Sequence, residues 1–293
     1  MSGMSGKFRL TARCLLLGGF VALGHTSFAA DVYDPVINPE DFTTRIDNPF
    51  FSMPVGKKMI YEARTDEGLE RKEITITGET RRIMGVETLV YLDREYLDGE
   101  LVEDTKNFIA QDKDGNVWYF GEVVDNYEGE FRDGAWRAAF AGAKPGISIK
   151  AKHVLGDSYR REYLKGKAED MAKVVATDQT VTTGLGTFWN CTKTYDWSPL
   201  DPGSSTYNYY CPEVGGLVLV ENLTTGDRVE LIKVERHRQR QADQPLPAPC
   251  GQEIRPRSRG ELGKVRKHHN EASGAGGLRI YSDPSRVGPI RDQ

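Results

Sequence analysis

Between Lys57 and Glu235 the chain repeats one pattern: a run rich in β-branched and aromatic residues, a turn built on Gly, Asp or Asn, and then another run. The stretch "KMIYEART" sets Met59, Tyr61 and Ala63 against Ile60, Glu62 and Arg64. In "RKEITITGE", Ile74 and Ile76 share one face while Glu73, Thr75 and Thr77 share the other. A period of two is what a half-buried strand requires, because successive side chains leave opposite faces of the sheet. Further runs of this kind are Val86–Leu97, Leu101–Asp112, Val117–Glu122, Ser158–Leu164, Thr180–Thr183, Thr187–Trp197, Tyr207–Cys211, Gly216–Glu221 and Arg228–Glu235. Short connections join strands antiparallel. "LVLVEN" and "VETLVYL" are apolar at consecutive positions, as in strands covered on both sides. The expected fold is all-β: mainly an antiparallel meander over residues 57–235, closed as a barrel or bent as a curved sheet. One or two short helices are expected in addition, from "AWRAAFAGA" (Ala135–Ala143) and "AEDMAKVVA" (Ala168–Ala176). Ala141–Asp157 reads as a long loop, and residues 30–56, rich in Pro, Asn and Asp, as an extended N-terminal segment.

The two ends differ from this middle. Lys7, Arg9 and Arg13 precede the apolar run "CLLLGGFVALG" (Cys14–Gly24), and "TSFAAD" offers Ser27 and Ala29 as small residues at a cleavage site. Residues 1–29 therefore read as a secretory signal peptide, too short for a membrane span. The expected location is secreted or periplasmic, with no integral membrane segment left after cleavage. Residues 236–293 lack apolar periodicity and are rich in Gly, Pro, Ser and Arg, the composition of a disordered tail. That tail holds 12 Lys and Arg against 6 Asp and Glu, and the first 29 residues hold three basic and no acidic side chains. The total of −4 therefore leaves −13 between Ala30 and Glu235. A domain so acidic is a poor partner for nucleic acid, whose phosphates need basic surface.

Without Cys14, the mature chain has Cys191, Cys211 and Cys250, and an oxidising compartment favours a disulfide. "TFWNCTKTYDW" and "TYNYYC" flank "SPLDPGSS" (Ser198–Ser205), a turn region. A hairpin centred near Asp201 brings residues whose numbers sum to 402 face to face, so Cys191 meets Cys211 at bonding distance. The same register gives the hairpin an aromatic face with Trp189, Lys193, Tyr195, Trp197, Tyr207 and Tyr209, and a polar face with Asn190, Thr192, Thr194, Asp196 and Asn208. The plainest reading turns the aromatic face to the core. The alternative is an exposed platform for a carbohydrate or a small apolar ligand.

"AQDKDGNVWYFGE" (Ala110–Glu122) has Asp112, Asp114 and Asn116 at alternate positions, as in a calcium loop, with Trp118 and Glu122 just beyond. An EF-type loop needs Gly at its sixth position and a bidentate Glu at its twelfth, whereas here Gly115 is fourth and Val123 is twelfth. "DKDGN" reads better as a hairpin connection, with calcium as the one candidate cofactor. Trp118 and Glu122, on the strand that follows, join the candidate ligand-binding residues. No nucleophile elbow and no H-E-x-x-H motif occurs, and the mature chain's histidines are His153, His237, His268 and His269. No catalytic residue is assigned. Glu122, Asp125, Glu128, Glu130, Glu162, Glu169 and Asp170 keep open a carboxylate-dependent hydrolase acting on a polysaccharide, behind the leading reading of a non-enzymatic ligand-binding or envelope-associated domain.

The blocks "DNPFFSMPVGKKMIYEA", "GELVEDTKNFIAQDKDGNVWYFGE", "GAKPGI", "GDSYRREYLKGKAEDMAKV" and "YDWSPLDPG" resemble, in this order, those of a family of secreted bacterial β-rich proteins of unassigned activity. The resemblance spans Asn48 to Glu235. It implies an envelope or extracellular location and a single β-rich domain, and it brings no catalytic residue with it.

Overall fold

In the computed structural model, residues 33–127 and 134–236 are described; the expected signal peptide (residues 1–29), Glu128, Glu130, His237, Cys250, His268, His269 and nearly all of the basic tail lie outside them. After a 3-10 turn (Pro39–Asp41) come β1 (Phe42–Thr43), β2 (Lys57–Thr65), β3 (Gly68–Ile83), β4 (Val86–Leu97), β5 (Glu100–Asp112), β6 (Val117–Asn126), β7 (Trp136–Arg137) and β8 (Lys144–Ile149). The chain continues through β9 (Ser158–Arg160), β10 (Glu162–Tyr163), β11 (Met171–Thr183), β12 (Gly186–Ser198), β13 (Asp201–Cys211), β14 (Gly216–Asn222) and β15 (Arg228–Arg236).

Successive strands pair antiparallel from β2 to β6 and from β11 to β15, and β15 returns to pair with β2. The remaining gap is closed by one extended segment, Ser158–Tyr163. Its first half, β9, pairs with β11, and its second half, β10, pairs with β8, which in turn pairs with β6. Only Arg161 separates the halves, so the sheet curls until its two ends meet at this residue. Closure leaves few unpaired edges, which an antiparallel sheet otherwise has to protect. Where β8 crosses the seam the backbones touch: a Cβ on Gly146 would lie 2.2 Å from the Arg161 carbonyl carbon. Gly121, at φ 128°, likewise lets the β7 backbone approach β6.

The segment before β2 covers one end of the barrel. It inserts Ile46, Phe51 and Met53 into the core, and Ser52 N–H donates to Gly215 O at 2.9 Å. Lys57 fastens it. This lysine is 1% exposed, and its Nζ donates to the carbonyls of Ser52, Val214 and Gly215 at 2.8, 3.0 and 2.8 Å. Burial, with the nearby charge of Arg236, lowers its pKa to about 8.

Two sequence-based expectations are corrected. Ala135–Ala143 is not helical; it contains β7 and a turn. Ala168–Ala176 feeds into β11, where the β-branched run "VVATDQTVTT" continues the ladder with β12. Pairing along a neighbouring strand outweighs the modest helix preference of Ala, Glu, Met and Lys. Ala141–Asp157, read as a loop, contains β8 and β9 begins just after it.

The register at the cysteines follows the expected sum. Thr192 faces Tyr210, Lys193 faces Tyr209, Thr194 faces Asn208 and Tyr195 faces Tyr207. Cys191 and Cys211 are bonded, with Cα atoms 4.2 Å apart and a sequence separation of 20. Closing a loop of that length stabilises the fold by about 3 kcal/mol in the chain-entropy account.

The outward faces carry ion pairs across strands, Lys58–Glu73 at 2.8 Å, Arg71–Glu62 at 3.1 Å and Arg94–Asp104 at 3.0 Å. Among the described residues no helix is long and apolar enough to cross a membrane.

Candidate functional site in the barrel lumen

Inward side chains change character along the barrel. On β3 they run Ile76, Ile74, Lys72, Glu70, and on β4 Tyr91, Asp93, Glu95. On β13 they run Tyr210, Asn208, Thr206, beside Val220 and Asn222 of β14. The end under the N-terminal segment is apolar, and the lumen becomes polar and acidic away from it.

Between these zones lies a small cavity that opens to solvent. Phe51, Met53, Met59, Leu217, Val220 and Val229 give it an apolar wall. Tyr61, Tyr91 and Tyr210 add aromatic side chains, and Lys72, Asp93 and Arg161 contribute charge. Residues of β4, β3, β2, β15, β14 and β13 meet Arg161 of the closing segment here because the sheet curls round.

The charged side chains are held by two networks. In the first, Arg161 Nη1 donates to Asp196 Oδ2, and also to the Tyr210 hydroxyl at 3.1 Å. Asn208 Nδ2 donates to the same Asp196 oxygen at 2.9 Å, and Thr194 Oγ1 donates to Asp196 Oδ1 at 2.5 Å. Arg161 is 4% exposed and Asp196 1%. A buried ion pair is costly unless its remaining hydrogen-bonding capacity is met, and the polar face of the β12–β13 hairpin meets that of Asp196, while Arg161 Nε has no hydrogen-bond partner. In the second network, Lys72 Nζ lies 3.2 Å from Asp93 Oδ2 and 2.7 Å from Glu95 Oε1. Two carboxylates share one ammonium. Burial pushes Asp93 up to about 7, against the pull of Lys72 and with Glu95 adding to the rise. Burial works to lower Lys72, but Asp93, Glu95 and Glu103 together hold it well above its usual range.

Glu70, one turn nearer the acidic end, is buried and accepts from Thr65 Oγ1 at 3.1 Å. Burial raises its pKa to about 7, Thr65 opposing and Glu95, Glu67 and Asp227 contributing. A carboxyl whose pKa is higher folded than unfolded stabilises the folded state at low pH, and that contribution is lost as pH rises from about 4 to about 7. Glu70→Gln is therefore expected to be more stable than the wild type at pH 8, by about 1–3 kcal/mol, with the gap closing near pH 4. Urea unfolding at both pH values measures this, and a gap independent of pH would contradict it.

The candidates from the sequence lie elsewhere. The β12–β13 hairpin is turned the other way from the plainest reading: Thr194, Asp196 and Asn208 are buried in the lumen, while the aromatic face looks outward. The reason is the Arg161 charge, which needs polar partners inside, together with Asn190, at φ 56°, whose bulge shifts the alternation so that Cys191 and Thr192 are both buried. On the outer face Tyr195 stacks on Trp197 at 5.3 Å, Tyr207 meets Tyr195 edge-on at 6.0 Å, and Lys193 Nζ sits 3.5 Å from the Tyr207 ring centre. Tyr209 OH donates to Glu221 at 2.7 Å, and Trp189 is 53% exposed beyond this cluster. Trp118 packs edge-on against Phe42 of β1. Glu122 is buried in the barrel, accepting from the Tyr119 hydroxyl at 2.9 Å, while Glu162 accepts from Trp136 Nε1 at 3.2 Å; neither lines the cavity.

The stretch Asp112–Asn116 forms the connection between β5 and β6. Asp112 Oδ1 accepts from Asp114 N–H at 3.0 Å and Asn116 N–H at 2.8 Å, and its Oδ2 accepts from Asn116 Nδ2 at 2.9 Å and Trp118 Nε1 at 2.7 Å. Asn116 Oδ1 accepts from Ala151 N–H at 2.9 Å. The Asp112 and Asn116 oxygens that would bind calcium are facing donors, so these two side chains build the turn. Among the described residues no group of three or more His, Cys, Asp or Glu is placed to hold a metal ion.

Sequence reading missed the lumen residues Lys72, Asp93, Arg161 and Tyr210. A signal for them exists: Lys72 and Asp93 share the inward faces of their strands with Ile74, Ile76 and Tyr91.

No protein-family model and no curated protein matches the chain. Among solved structures, a "putative lipoprotein" from Parabacteroides distasonis ATCC 8503 is similar over 64% of this chain and 98% of its own, at 16% identity and a TM-score of 0.34.

Proposed function

We propose that this protein is an extracytoplasmic β-barrel, of the secreted bacterial family its sequence blocks resemble, that binds a small amphipathic molecule in its lumen. The observation that carries the reading is the cavity itself. It combines a Met- and Val-lined apolar wall with a few fixed polar groups, the composition of small-molecule sites in barrel interiors. The disulfide fits an oxidising compartment, in line with the signal sequence.

The test is binding of the neutral fluorophore N-phenyl-1-naphthylamine, read by its emission, to the wild type and to Val220→Trp, which fills the lumen. Wild type is expected to bind the probe, and the filled variant to lose at least about tenfold in affinity, or about 1.4 kcal/mol. Val229→Phe serves the same purpose if Val220→Trp unfolds, with folding checked by circular dichroism. No binding by the wild type, or equal binding by folded variants, would overturn the reading.

A further inference from the structure

We propose that the lumen selects an organic ammonium: a primary amine with an apolar body, its head group held by Asp93. This deepens the lumen-binding reading and rests on it. Three observations point the same way.

The first is an unsatisfied acceptor. Asp93 is 8% exposed and lines the cavity, and its Oδ1 is buried without a hydrogen-bond partner, while Oδ2 is taken by Lys72. A buried carboxylate oxygen left unsatisfied costs free energy that a bound donor recovers.

The second is charge balance. Arg161, the cation an anionic ligand would seek, has its charge matched by Asp196, which is further satisfied by Thr194 and Asn208, although Arg161 Nε keeps no hydrogen-bond partner. Lys72 is shared between Asp93 and Glu95, with Glu103 and Glu70 adding negative charge nearby. The lumen around Asp93 therefore carries an excess of carboxylates, which draws in a cation and repels a carboxylate ligand.

The third is the wall. Tyr61 and Tyr91 bring aromatic rings to the cavity that Asp93 lines, suited to an ammonium, and Met53, Met59 and Val220 give an apolar wall for its body. Lys72 marks the chemistry, since its own primary ammonium already sits between two of these carboxylates.

Three ligands that share one chain separate the head groups: octylammonium, octanol and octanoate, titrated calorimetrically against the intact protein at pH 8. Octylammonium is expected to bind at least about tenfold more tightly than octanol, with octanoate weakest. Asp93→Asn should remove the preference for octylammonium while leaving octanol affinity unchanged. Lys72→Met should raise octylammonium affinity, because it removes the built-in competitor; its direction cannot be mimicked by misfolding. Octanoate binding as tightly as octylammonium, or an octylammonium affinity unmoved by either substitution, would overturn the head-group assignment. Equal binding of all three would do so while leaving the lumen reading intact, and that reading fails separately if the neutral fluorophore does not bind.

Discussion

Gly146→Ala is expected to destabilise the barrel by more than about 4 kcal/mol, among the largest effects a single methyl group produces. The added carbon would lie 2.2 Å from both the carbonyl carbon and the oxygen of Arg161, and 2.5 Å from Glu162 N. These are backbone atoms of the closing segment, and no rotamer change relieves the overlap. Either β8 withdraws from β10 or the closing segment shifts, and both open the seam. Gly203→Ala is the control: its Cβ would meet only Asp201 Oδ1, at 3.8 Å, so its effect should stay within about 0.5 kcal/mol. Urea unfolding of the two variants makes the comparison, and a Gly146→Ala protein as stable as the control would show that the seam is not closed as described.

Arg161→Met is expected to cost about 3–5 kcal/mol, the range for removing one partner of a buried ion pair. The Arg161 side chain is 4% exposed, and its loss leaves Asp196, 0% exposed at the side chain, with neutral donors alone. Most of the cost lies in the stranded carboxylate, so the double variant Arg161→Met with Asp196→Asn should recover much of it. Asn keeps an acceptor for Thr194 and carries no charge. Denaturant unfolding of the four proteins of this cycle measures the coupling. A single-variant cost below about 1 kcal/mol would mean the pair is reached by water and does not organise the lumen.

Both predictions concern Arg161, a residue that sequence reading passed over, and the reason is topological. Ser158–Leu164 was legible as a strand, but nothing local shows that its halves pair with different neighbours, β11 on one side and β8 on the other. Long-range pairing of this kind is set by closure of the whole sheet. Features fixed by neighbours in sequence were easier to read. The limits of Val86–Leu97 match β4, the register of Lys193 with Tyr209 follows from the turn between the strands, and "DKDGN" forms its hairpin connection.

The candidate site was harder because the usual rule, apolar residues inside and polar residues outside, is reversed over part of this barrel. Thr194, Asp196 and Asn208 face inward because the lumen contains a charge to be matched, and Tyr195, Trp197 and Tyr207 cover one another on the outside. The alternation was correct; its direction depended on an arginine thirty-five residues away from Asp196. The helical reading of Ala168–Ala176 failed for a related reason, since local propensity gave way to the ladder formed with β12.

Binding of a small molecule inside the barrel is reported directly by the methionine methyl groups. Met53 and Met59 line the cavity, while Met84 and Met171 do not. In a protein carrying carbon-13 at the methionine methyls, adding octylammonium is expected to shift the Met53 and Met59 resonances and leave Met84 and Met171 in place. Shifts confined to Met84 or Met171, or none at ligand saturation, would contradict binding in the lumen.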